Sequence, residues 1–210
     1  MTHTAEIVGG YRWLETRLFE LTGRWAADPS LPEESPVPAI RVHFDELRAQ
    51  HAWHASEWAD RLPMARGFDR DALTDPPGIG ARDALSALED GSWIADPASG
   101  PGTDRIRLLG RLAGLHRVIL PRLVTTYERH RSVAAPAADR PVLRVLSLVL
   151  RDEVEAIRAG EGLLEELMAG SEDVRAAAQA VEHIEGVIVA SGVRRGIVCW
   201  PQPRVSDRAT

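Results

Sequence analysis

Residues 40–62 read IRVHFDELRAQHAWHASEWADRL, and their apolar positions are spaced for a helix. Ile40, Phe44, Leu47, His51, His54 and Trp58 follow one another at intervals of four, three, four, three and four, which returns each residue to the same helix face. Two histidines therefore occupy positions where a core-facing helix carries leucine. On an ideal wheel, at about 100° per residue, His51 and His54 fall within roughly 40° of the stripe centre, and Glu57 lies nearer 100° from it. Glu57 is read as a flanking group that orients a histidine. Ser35-Pro36 is an N-cap followed by a first-turn proline, so the helix is expected to start there and to run to about Leu62, where Pro63 stops it.

The same spacing organises the flanking sequence. From about residue 4 to residue 26, Ile7, Tyr11, Leu14, Leu18, Leu21 and Trp25 form another stripe, which DPSLPEESP at 28–36 ends. A third helix is expected from Thr103 to about Arg131 through Leu109, Leu112, His116, Leu120, Leu123 and Tyr127, with a kink at Pro121. A fourth starts near Pro141, ends by Gly170 and carries Val142, Leu146, Val149, Glu153, Gly160, Leu164 and Leu167. Ser171, Glu172 and Asp173 open a shorter fifth helix reaching about Ser191, ahead of the tail RRGIVCWPQPRVSDRAT at 194–210. Gly9-Gly10 is expected to allow close helix packing against the first helix.

No stretch alternates as a strand does. Short loops join the helices in two pairs, and residues 63–102, rich in Pro, Gly, Asp and Ala, join the pairs, with DRDALT and ARDALSALED expected as short helical turns. A helix of about 26 residues is roughly 39 Å long, a span that some 40 residues can cross with slack. The pattern predicts an all-α, four-helix bundle with a long crossover between the second and third helices. It forms one domain over 1–210, with its core at 4–170 and the fifth helix and tail at 171–210.

Composition narrows the chemistry. The chain has 210 residues, enough for one sizeable core, and a formal net charge of −6, which disfavours a nucleic-acid partner. No apolar run approaches the roughly 20 residues of a membrane span, and the N-terminus lacks the basic-then-apolar order of a signal peptide, so a cytoplasmic protein is expected. The single Cys199 excludes an internal disulfide and a cysteine-only metal cluster. All 25 basic residues are arginine, which removes Schiff-base chemistry and leaves His, Asp, Glu, Tyr and Arg as candidates.

Those candidates cluster on the apolar faces. His51 and His54 lie on the second seam, His116 on the third and Glu153 in the middle of the fourth, while Glu15 sits beside Tyr11, Leu18 and Phe19 at the edge of the first; Glu20 points away. A buried carboxylate must be paired, protonated or metal-bound, and Arg17, Arg105 and Arg111 are the ion-pair partners that Glu153 could find. Each of the five groups falls within about one turn of its helix midpoint, so aligned helices would bring them to one level. Glu15, His51, His54, His116 and Glu153 are thus the expected metal ligands, a donor set suited to iron, manganese or zinc. Glu57 and Tyr127 are the expected catalytic groups. His43, His130 and His183 are read as peripheral.

The arrangement resembles the ferritin-like superfamily over roughly residues 4–170, on Glu15 in the first helix, His51-x-x-His54 in the second and Glu153 in the fourth. That family holds two iron or manganese ions with a carboxylate from the first and third helices and a Glu-x-x-His pair from the second and fourth. Glu15, His54 and Glu153 match the family's residue type. His51 and His116 stand where it has glutamate, and Ala156 where it has histidine. What the resemblance implies is a non-haem iron or manganese oxidoreductase or oxygenase acting on a small organic substrate, with one or two ions. A mononuclear site of His51, His54 and Glu153 is one alternative. Others are a metal-free bundle binding a small molecule, and a scaffold that docks a partner or a second copy, as a homodimer, through the fifth helix and the apolar tail Ile197-Val198-Cys199-Trp200.

Overall fold

Most helices begin and end where local chemistry permits. In the computed structural model, which describes residues 2–31, 36–64, 69–94 and 102–198, helix α1 spans Thr2–Ala26 and α2 spans Val37–Ala59. Proline occupies the N-cap and the first turn of α2, where a missing N–H breaks no helical hydrogen bond. Ser35 lies outside the described residues, and α2 ends three residues before Leu62, which instead closes a turn onto the Ala59 carbonyl. The connecting segment carries the two expected short elements. In α3 (Arg70–Leu73) the Asp69 side chain accepts from the Asp71 and Ala72 amides, and α4 (Ile79–Asp90) closes on Gly91, whose φ of +69° is the left-handed conformation that glycine adopts without penalty.

The third predicted helix is continuous but changes pitch. Helix α5 (Thr103–Gly114) passes into a π-helical turn, Leu115–Ile119, and then into α6 (Leu120–Val133). Pro121 has no N–H to donate one turn back, and the widened turn falls immediately before it. Helix α7 (Arg140–Leu167) and helix α8 (Ser171–Ala190) complete the chain, with Asp173 at the start of α8 accepting from the Ala169 amide at 2.8 Å.

All the described elements are helical. Helices α1 and α2 pack side by side; α7 lies against both α2 and α6, and side chains of α1, α2, α6 and α7 meet in the interior. Helix α8 packs on α4 and α5, burying Ala176, Ala177, Ala180, Ile184 and Ile188. The fifth predicted helix is therefore a core element of 20 residues, closing a second layer with α4 and α5, and the core extends past residue 170. Its small residues permit that closeness. Gly9-Gly10 admits the end of α3 and the loop after it: a Cβ on Gly9 would lie 1.9 Å from the Leu73 carbonyl oxygen, and one on Gly10 2.7 Å from Pro77, which is not helical.

The start of the tail folds back onto α6. Arg122 donates to the Gly196 carbonyl and the Ile197 amide donates to Thr126 Oγ1, both at 2.9 Å, while Ile197 and Val198 are buried in the protein's own core. Of the tail residues expected to dock, these two thus pack into the protein's own core; Cys199 and Trp200 lie outside the described residues. Among the described residues no helix is long and apolar enough to cross a membrane.

Candidate metal centre

Four of the five expected ligands converge. Glu15 on α1, His51 and His54 on α2, and Glu153 on α7 are completely buried, and each offers a donor atom within 4.8 Å of the others. The two histidines share a face because three residues separate them on one helix. Both turn Nδ1 towards the carboxylates. His51 Nδ1 lies 2.7 Å from Glu15 Oε2 and 3.7 Å from Glu153 Oε1; His54 Nδ1 lies 3.1 Å from Glu153 Oε1 and 3.4 Å from Glu15 Oε1.

This close approach leaves donors and acceptors unsatisfied. His51 Nε2, His54 Nδ1 and both Glu153 oxygens are buried without a hydrogen-bond partner among the described residues. Two carboxylates and two imidazoles buried for stability alone would be expected to complete their hydrogen bonds, since an orphaned buried polar group costs about 1–3 kcal/mol. The donor set of two imidazole nitrogens and two carboxylates fits a divalent first-row ion, whose charge the two glutamates would balance.

Tyr127 bounds the site from α6. Its hydroxyl donates to Glu15 Oε1 at 2.5 Å and accepts from Trp58 Nε1 at 3.3 Å. Tyr11 packs edge-on against Tyr127, with ring centroids 4.8 Å apart, and its hydroxyl meets His130 Nδ1 at 3.2 Å. This aromatic wall fixes Glu15 and keeps water from its outer side. Burial raises the Tyr127 hydroxyl well above its ordinary range, and the charges of Glu15 and Glu153 add to that, so it is a protonated donor.

The electrostatics of the quartet are those of a site that holds positive charge. Burial pushes the Glu15 carboxyl up, but the nearby charge of His54, with the hydrogen bond and charge of His51, outweighs it and holds it well below its usual range. Burial pulls His54 down, yet Glu15 and Glu153 together raise it far above an ordinary imidazole.

His116 is placed elsewhere. It sits in the π-helical turn, where Nδ1 donates to the Leu112 carbonyl at 2.9 Å and Nε2 faces His43 Nε2 at 3.0 Å. Both ring nitrogens are thereby used. Along one helix, the 11 residues from His116 to Tyr127 amount to about 16 Å, so His116 stands roughly three turns from the level of the quartet. Glu57 is likewise not at the quartet; it accepts from Arg61 at 3.2 Å near the surface. None of the arginines proposed for Glu153 reaches it: Arg17 pairs with Glu20 and Glu89, Arg105 with Asp173, and Arg111 with Asp28.

Sequence reasoning missed Asp152, His43 and His130. Asp152 Oδ2 lies 3.4 Å from His54 Nε2, and its position directly before Glu153 was the available signal. His43 lies eight residues before His51 on α2, near the same stripe.

The His43–His116 pair has a measurable consequence. Burial, followed by the neighbouring histidines, lowers His43 to about 4 and His116 to about 3. Both folded values lie below the unfolded value of about 6.5, so the unfolded chain binds more protons and the pair's contribution falls as pH drops below that value. From pH 7 to pH 5 the loss is expected to be about 4 kcal/mol. Urea unfolding across that range tests this: a chain carrying His43→Leu and His116→Leu should lack that part of the slope.

Compared with known protein families, curated proteins and solved structures, the chain matches none.

Proposed function

We propose that Glu15, His51, His54 and Glu153 hold a single divalent iron or manganese ion, and that the protein is a metal-dependent oxidoreductase acting on a small organic substrate in a ferritin-like bundle. The observation that supports it most directly is the convergence of four buried donor residues with orphaned atoms at their centre. One ion is favoured over two because the second half of a dinuclear donor set is missing: Ala156 follows Glu153 at the x-x-His position, and His116 is engaged with Leu112 and His43.

The ion would supply one-electron redox chemistry and Lewis acidity. The chain's own groups do the rest. Glu15 and Glu153 neutralise a divalent charge, and the two imidazoles favour a transition metal over calcium or magnesium. Tyr127 holds one Glu15 oxygen, leaving the other to face the interior. Burial excludes bulk water, which strengthens each of these interactions.

Metal analysis of protein purified without chelators is the test. About one equivalent of iron or manganese is expected, lost in His51→Ala protein that retains its helical content. Sub-stoichiometric metal that His51→Ala leaves unchanged would defeat the reading.

A further inference from the structure

The two histidines of the quartet are not held alike. His51 Nε2 is buried with no hydrogen-bond partner, whereas His54 Nε2 lies 3.4 Å from Asp152 Oδ2. Asp152 is itself restrained, because Arg151 donates to Oδ1 through Nε and Nη2, each at 3.2 Å. Trp53 packs against the same imidazole, with ring centroids 5.2 Å apart. His54 is thus steadied from behind by a carboxylate and an indole, while its Nδ1 faces Glu15 and Glu153.

We infer that Asp152 is a positioning residue for the metal centre: it accepts a hydrogen bond from the Nε2–H of His54 and so presents the Nδ1 lone pair to an ion bound between Glu15 and Glu153. This rests on the metal reading above. An imidazole has two tautomers, and only the one protonated on Nε2 offers Nδ1 as a ligand. A carboxylate acceptor on the far nitrogen selects that tautomer, restrains the ring and raises its basicity as a donor. Adjacent residues of α7 then divide the work, with Glu153 facing inward as a ligand and Asp152 reaching His54 from the partly exposed side. Asp152 touches neither the ion position nor a substrate, and acts only through His54. His51 has no equivalent support, which makes His54 the fixed nitrogen ligand and His51 the one freer to adjust.

Cobalt(II) titration of the metal-free chain tests this, read by chelator competition and by the visible ligand-field absorption. Asp152→Ala is expected to weaken cobalt binding about 10- to 100-fold and to alter the ligand-field bands. Asp152→Asn keeps an acceptor without the charge and should fall between that variant and the original chain; Asp152→Glu should recover much of the affinity. Thermal unfolding of the metal-free variants establishes that each is folded. Original affinity and spectrum in folded Asp152→Ala would overturn the assignment. No cobalt binding by the unaltered chain would instead overturn the metal reading, and this inference with it.

Discussion

Glu153→Gln is expected to weaken metal binding on the order of 10²- to 10³-fold while leaving the helical content intact. The amide matches the carboxylate in shape, so packing within the quartet is preserved. What is lost is one of the two negative charges that would balance a divalent ion, in an interior where Glu153 is completely buried. Glu153 accepts no hydrogen bond from the described residues, so what else goes with the charge is its electrostatic contact with His54, at 3.1 Å, and with His51, at 3.7 Å. Breaking a buried charge interaction costs about 3–5 kcal/mol, and about 1.4 kcal/mol corresponds to each tenfold change in affinity. Discounting for relaxation of the site gives the stated range. Chelator competition on variant and original protein measures it, and equal affinities would remove Glu153 from the ligand set.

The second large effect lies two turns further along α7. Gly160→Ala is expected to destabilise the fold by about 2–4 kcal/mol, a fall of roughly 5–15 °C in Tm for a chain of this size. A Cβ at residue 160 would stand 2.0 Å from His116 Cδ2. The imidazole cannot retreat freely, because Leu112 and His43 hold its two nitrogens and the ring is almost wholly buried. Arg117, next to it in the π-helical turn, is also tied to Glu161 of α7 at 2.8 Å. Displacing the ring would therefore orphan buried polar atoms as well as disturb packing. Gly162→Ala is the control: it lies on the same helix with no atom within 4 Å of the added Cβ, and should stabilise by about 0.5–1 kcal/mol through helix propensity. If calorimetry shows the two variants shifting alike, the close contact at Gly160 is absent.

The helix content was legible because a residue's face follows from spacing alone. Ile40, Phe44, Leu47, His51, His54 and Trp58 all prove to be buried, as does the third stripe from Leu109 to Tyr127. Glu15, at the edge of its stripe, is buried because Tyr127 and His51 reach it from other helices. Helix α8 was underrated because its buried face is mostly alanine, which contributes little to an apolar pattern but allows close approach to α4 and α5.

Levels along the helices were harder to read. Placing each group by its distance from its own helix midpoint assumes that helices align at their centres. The continuous α5–α6 helix does not: Tyr127, not His116, lies at the quartet, and His116 joins His43 in a separate layer. Helical periodicity repeats every 3.6 residues, so a shift of one or more turns leaves the same face inward. It cannot distinguish one register from another. The amino-acid pattern by itself thus determined that this chain makes long helices and that histidine and glutamate face their interior. Only the tertiary packing decided which of them meet, because register along parallel axes is set by contacts between helices, such as Gly160 against His116, that no single helix encodes.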